Sequence, residues 1–321
     1  MKKQIYAFII SIGLIFFLIF FYAFLLFIPV KCNHIDHYIT IPKHATVNTT
    51  AKILNDNLCV NKTLFKIAMK VSLHEKNIKY GRYDFKSVNN MRDLIQMITS
   101  VSSDRIQMTI FEGLKMQDIA LLFEKKMNMD VEKFLSLCYD ENLISSLGLK
   151  GISNLEGYLY PDTYMFLKTY TESDVIKIIV NQYMYNFNEY VFNQTNLSNN
   201  ELVILASIIQ GEAMYVDEMN KISSVYHNRL EKDMLLQADP TIQYILPEKK
   251  KRILVKDTKI ENPYNTYIYK GLPPGPINNP GIDALIAAGD PLQTDYLFFV
   301  ADNKGRHIFN KTFQGHLRSK K

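Results

Sequence analysis

The run ELVILASIIQGE, residues 201–212, constrains the fold more than any other stretch of this chain. Apolar residues occupy every side of the helix it would form, and such a helix sits inside a core rather than on a surface. A domain must therefore be built around it. The run ends in one carboxylate, Glu212, just past a glycine. That group faces partial desolvation and the negative end of the helix dipole. Both raise its pKa, and a carboxylic acid still protonated near neutrality can donate a proton to a leaving group. The alternative is that Glu212 reaches solvent or pairs with a cation at the helix end.

At 321 residues the chain has room for two domains and a sizeable core. Lys and Arg exceed Asp and Glu by only 5, and part of that excess lies at the termini. No basic stripe is present, so no nucleic-acid partner is expected. Tyrosine is abundant even in predicted loops, a composition suited to stacking on sugars.

From Ile5 to Ile28 there is no charged residue. As a helix this segment spans roughly 36 Å, against about 30 Å for a bilayer core. Lys2 and Lys3 precede it and Lys31 follows. The positive-inside rule then places residues 1–4 in the cytoplasm and the remaining chain outside. Pro29-Val30-Lys31 is no small-x-small cleavage site, so an uncleaved single-pass anchor in the cytoplasmic membrane is expected. Cys32, Cys59 and Cys138 are scattered and odd in number, without disulfide or metal-type spacing. His34 and His37 form an isolated H-x-x-H that reads as a polar turn. No metal and no organic cofactor are expected.

Helical and alternating patterns follow one another along the chain, giving an α+β fold. Residues 37–100 read as a small β-α-α-β subdomain: a strand at Tyr38–Ile41, helices over 47–58 and 62–74, a strand over 79–85 and a helix over 89–99. Residues 101–321 read as a second, mixed domain. It has a strand over 105–111, helices over 115–126, 131–141 and 171–187, and the helix ending in Glu212, with N-cap candidates at Ser198, Asn199 and Asn200. A further helix over 218–232 and a short one over 283–288 follow, then a terminal hairpin of strands at 296–300 and 307–309. Residues 155–163 and 236–241 read as loops, and Asp239-Pro240-Thr241 as a turn.

The ordered set LEGYLYPDT (155–163), LASIIQGEA (205–213), NRLEKDMLLQADPTIQY (228–244), YNTYIYKGLPPGPI (264–277) and YLFFVAD…HIFN (296–310) resembles the YceG-like, or MltG, family. These are membrane-anchored endolytic murein transglycosylases. The resemblance covers roughly residues 38–318 and implies that the N-terminal module, residues 37–100, is LysM-like. It also implies that residues 101–321 are the catalytic domain, with Glu212 as the acid/base, the second glutamate of an E-x-E pair. The first position of that pair is Gln210 here, a departure that removes a like charge from beside Glu212.

The implied reaction needs one carboxylate. Glu212 protonates the glycosidic oxygen leaving N-acetylmuramic acid, then takes the proton of the sugar's own 6-hydroxyl, and a 1,6-anhydro ring closes. Because the nucleophile is intramolecular, proximity replaces the second residue that hydrolytic glycosidases use. Candidate substrate contacts are Gln237, Asp239, Thr241, Tyr264, Asn265, Tyr267 and Glu156. For each the competing reading is local: a turn former, a capping group, or loop packing. The implied partners are peptidoglycan glycan strands and membrane peptidoglycan synthases. Two rival functions stay open: a lysozyme-like hydrolase with Asp239 as second carboxylate, and a non-catalytic wall-binding scaffold.

Overall fold

A computed structural model of the chain describes residues 12–14, 16–17, 20–30, 38–42, 44–58, 60–86, 88–99, 105–168, 170–248, 250–302 and 304–319. The expected span Ile5–Ile28 falls partly outside them, and Cys32, His34, His37 and Cys59 fall wholly outside. Among the described residues no helix is long and apolar enough to cross a membrane. The chain divides into two compact units, Met1–Thr109 with Thr163–Thr169, and Ile110–Asp162 with Tyr170–Lys321.

In the first unit, strands β1 (Tyr38–Ile41) and β2 (Gly81–Asp84) pair antiparallel, and helices α1 (Val47–Leu58) and α2 (Lys62–Val71) lie between them in sequence. Asn61 starts α2 by accepting from the amides of Thr63 and Leu64, at 3.0 and 3.1 Å. The helix ends at Val71 with Ser72 as its cap, short of the expected His74, and Leu73 beyond it takes a left-handed conformation (φ 59°). After α3 (Met91–Thr99), β3 (Arg105–Thr109) and β4 (Thr163–Leu167) complete a sheet of order β1-β2-β4-β3. Leu54, Phe65, Tyr83, Leu94, Ile98 and Met165 belong to its core. The unit thus extends past residue 100 and takes in a strand from much later in the chain. Sequence patterning does not reveal β4: its Tyr164, Met165 and Phe166 are all buried, so the strand lacks the alternation that marks a half-exposed one.

The second unit is mostly helical. It runs through α4 (Met116–Met127), α5 (Val131–Cys138), α6 (Glu141–Ser146), α7 (Glu172–Tyr190) and α8 (Asn199–Glu212). After a short 3-10 turn come α9 (Met219–Glu231), α10 (Asp239–Ile245), α11 (Ile282–Gly289), the hairpin β5 (Phe298–Ala301) and β6 (His307–Asn310), and α12 (Phe313–Ser319). The expected helix over 131–141 ends at Cys138, and the Asp140 carboxylate accepts from the amides of Asn142 and Leu143 and starts a new one. Nor is Asp239-Pro240-Thr241 a plain turn. It opens α10, with proline in the first turn, where its missing N–H removes no helical bond.

The helix α8 is the axis of this unit. Ser198 and Glu201 close a reciprocal capping box at its start, with the Ser198 amide 2.8 Å from the Glu201 carboxylate. Every residue from Leu202 to Ile209 is buried. Helices α9, α10 and α11 all pack against α8. The small buried side chains of Ala284, Ala287 and Ala288 give α11 a narrow face, and close approach follows from it.

Gly157 fixes the loop that leads past the start of α8. Its φ is +89°, and a Cβ there would lie 2.6 Å from Pro276 and 2.8 Å from Val203 of α8. Left-handed strain and overpacking act together, so Gly157→Ala is expected to cost roughly 2–4 kcal/mol. Denaturant unfolding of the two proteins checks this; a midpoint that does not move would contradict the packing described.

Candidate active site

Glu212 stands at the last position of α8, where the helix leaves the core. The residue before it must be small. A Cβ on Gly211 would sit 2.6 Å from the Pro240 ring, so only glycine lets the start of α10 close on the end of α8. That contact brings the main-chain N–H of Asp239 onto the Glu212 carboxylate. From α9, the fully buried Tyr226 donates its hydroxyl hydrogen to Oε1 of Glu212 at 2.8 Å.

Arg229 lies one turn further along α9 and is buried. Its guanidinium does not pair with a carboxylate. Nε donates to the Leu297 carbonyl at 2.7 Å and Nη1 to that of Leu236 at 2.6 Å, and the group lies over the Phe298 ring. It therefore ties α9 to the strand that follows and to the loop before α10, and leaves its charge as a background field.

Desolvation is the largest influence on Glu212 and pushes its pKa up to about 7. The Tyr226 hydroxyl opposes the rise, the charge of Asp239 adds to it, and Arg229 and the Asp239 N–H oppose it. The residue keeps part of its surface open to solvent while its carboxyl is enclosed by protein. A pKa close to neutrality is the condition in which one group can give a proton away and take one back.

Gln210 does not touch Glu212. Its Oε1 accepts from the Gly281 N–H at 2.9 Å, at the start of α11, and its side chain bonds the carboxylate of Glu112. An amide suits this place because it offers one acceptor and one donor group; a carboxylate has no donor for Glu112. Crowding of its carboxyl, then the charge of Asp283, raise the pKa of Glu112, and the Gln210 bond lowers it. The residue nonetheless keeps much of its surface in solvent, so these effects are partly screened.

The remaining candidates separate into two groups. Asp239 and Tyr267 belong with Glu212: the Tyr267 hydroxyl donates to Oδ1 of Asp239 at 2.5 Å. Gln237 is exposed beside them, in a left-handed conformation (φ 50°), with its amide on the Thr266 carbonyl. Tyr264 is half-buried, its ring centroid 4.9 Å from that of Tyr244.

Thr241, Asn265 and Glu156 are buried, with their side-chain polar atoms hydrogen-bonded inside the protein. Thr241 is fully buried, with its hydroxyl on the Ala238 carbonyl and the Thr266 hydroxyl. Asn265 is also fully buried; it donates to the carbonyls of Thr258 and Ile260 and accepts from the Tyr267 amide. Glu156 accepts from the Met116 amide at the start of α4 and from Asn279 Nδ2, at 2.9 and 3.0 Å. Burial pushes its pKa up to about 7, against those bonds. In the sequence Tyr226 falls at apolar helical spacing with Ile222, Val225 and Leu230. Nothing in a helical spacing distinguishes a buried phenol that packs from one that also donates. Among the described residues no three His, Cys, Asp or Glu side chains come together to hold a metal ion.

The YceG-like family model matches residues 39–321. The chain belongs to that family. A Bacillus subtilis (strain 168) relative named endolytic murein transglycosylase is 33% identical over 304 residues, spanning 88% of this chain and 83% of that protein. A Streptococcus pneumoniae (strain D39) protein of the same name is 29% identical over 276 residues, covering 76% of this chain and 50% of its own length. The 2.6 Å crystal structure of a YceG-like protein from Listeria monocytogenes superposes with a TM-score of 0.61 at 30% identity, covering 88% of this chain and 98% of that one.

A glutamate at position 210 would face Glu112 and Asp283. Like charges that ionise together destabilise the fold, so the penalty is absent at acid pH and grows as pH rises. Gln210→Glu is expected to lower stability by roughly 1–2 kcal/mol at neutral pH and less near pH 5. Adding Glu112→Gln is expected to recover most of the loss. Urea unfolding at two pH values decides this; a penalty independent of pH and of residue 112 would refute the pairing.

Proposed function

We propose that the chain is an endolytic lytic transglycosylase of peptidoglycan, with Glu212 as its sole acid/base. The observation that carries this reading is one enclosed carboxyl, its pKa raised by burial and its Oε1 hydrogen-bonded by Tyr226, at the end of a buried helix in a chain of the YceG-like family. Relatives named endolytic murein transglycosylase supply the substrate class.

In the first step the Glu212 proton passes to the oxygen linking N-acetylmuramic acid to N-acetylglucosamine. The C1–O bond breaks with its electron pair going to that oxygen. Positive charge spreads over C1 and the ring oxygen, supported by the N-acetyl oxygen. In the second step the 6-hydroxyl oxygen bonds to C1 and its proton returns to Glu212. No water is consumed, and the enzyme ends with the proton it began with. Stepwise use of one group demands a pKa near the working pH, and burial supplies that for Glu212. Asp239 and Tyr267, hydrogen-bonded to each other beside the acid, and the exposed Gln237 offer polar and aromatic contacts to the sugars.

The uncharged run Ile5–Ile28 would anchor the chain in the cytoplasmic membrane, with both folded units outside. The β-α-α-β order of β1, α1, α2 and β2 supports a LysM-like module that binds glycan, and an anchored enzyme of this class would work beside membrane peptidoglycan synthases.

Mass spectrometry of glycan ends after digestion of intact peptidoglycan by the full-length chain tests the reading. Anhydromuramyl ends are expected, falling by about 10²–10⁴-fold in Glu212→Gln. Rates are expected to drop as pH rises through about 7, where Glu212 loses its proton. Reducing ends would instead mark a hydrolase using Asp239. Binding without products at any pH would mark a scaffold.

A further inference from the structure

Between its two proton transfers Glu212 is an anion in an enclosed site, and an anion there needs donors. Two groups face it as donors. One is the main-chain N–H of Asp239, which Asp239→Asn would preserve. The other is the Tyr226 hydroxyl, 2.8 Å from Oε1.

Tyr226 is unusually well fixed for a hydrogen-bond donor. It is fully buried on α9, and the Phe299 ring of β5 meets it edge-to-face with centroids 5.9 Å apart. Its neighbour on the same helix face, Arg229, is locked by the carbonyls of Leu297, Leu235 and Leu236. The phenol therefore does not have to be ordered when charge develops on Glu212. Burial and the adjoining carboxylate both hold its own pKa well above the usual value, so it stays a neutral donor throughout turnover. A phenylalanine would fill the same core volume. The oxygen is superfluous to packing.

We propose that Tyr226 is a positioning residue for the reaction: its hydroxyl fixes the orientation of the Glu212 carboxyl and stabilises the carboxylate formed between proton donation and proton return. This rests on the acid/base role assigned to Glu212. The charged and titratable groups facing Glu212 are Tyr226 and Arg229 from α9, Asp239 from α10, and Tyr267 from the loop after it. Tyr226 and Asp239 act in opposite senses, the first favouring the anion by its hydrogen bond and the second disfavouring it by its charge.

That opposition supplies the test. The pH dependence of kcat/KM is measured for the full-length wild type, Tyr226→Phe and Asp239→Asn on peptidoglycan. Tyr226→Phe is expected to move the basic limb up by about one pH unit and to lower kcat roughly tenfold with KM unchanged. Asp239→Asn is expected to move the limb down, since it removes a negative charge and keeps the main-chain N–H. A purely structural tyrosine would lower activity and melting temperature without moving the limb, and that result overturns the proposal. Limbs that shift in the same direction overturn it too. Should the wild type make no anhydro ends, the activity reading fails by itself. The three proteins are then compared by infrared titration of the Glu212 carboxyl, identified by subtracting Glu212→Gln. Opposite shifts there still support the Tyr226 contact, and an unmoved midpoint in Tyr226→Phe refutes it.

Discussion

The second unit depends on enclosing α8. A helix with apolar residues on all sides cannot rest against one neighbour; it needs a shell, and α9, α10 and α11 provide it. Desolvation of Glu212 follows from that shell rather than from any residue placed for the purpose. The same packing that stabilises the unit raises the carboxyl's pKa, so the fold and the acid share a cause. The cost falls on stability at higher pH. A carboxyl whose folded pKa exceeds its unfolded value favours the folded state fully below the unfolded value and less as pH rises through the folded one. Glu212 and Glu156, both near 7, share this sign.

Around the acid, neutral groups settle what charges would disturb. Gln210 bridges the Gly281 amide and Glu112, so the end of α8 is tied to the start of α11 without another anion facing Glu112 and Asp283. Gly211 gives way to Pro240 and lets a main-chain N–H reach the carboxylate. Arg229 gives its donors to carbonyls, which keeps a cation nearby while leaving Glu212 free of an ion pair that would hold it deprotonated.

Much of this is legible in the sequence wherever a single segment determines the outcome. The capped apolar helix and its terminal acid, the second helix beside it and the terminal hairpin all follow from periodicity and capping residues. Features that require distant segments to meet do not. β4 has no alternation because both its faces are covered, and its partners β2 and β3 lie far away in the chain. Polar residues of the motifs also look alike on paper. Asn265 and Asp239 both sit in polar runs, yet one is sealed inside its own loop and the other is exposed near the acid. Tyr226 shows the converse: a residue that patterning assigns to the core donates a hydrogen bond to Glu212.

The central claim is that packing around α8 keeps Glu212 protonated up to neutrality. Carbon-13 NMR titration of glutamate side-chain carboxyls in the substrate-free protein, with Glu212 assigned by its loss in Glu212→Gln, measures this directly. The account predicts a midpoint at about 7. A midpoint near 4.5, the ordinary value for a glutamate, would contradict it.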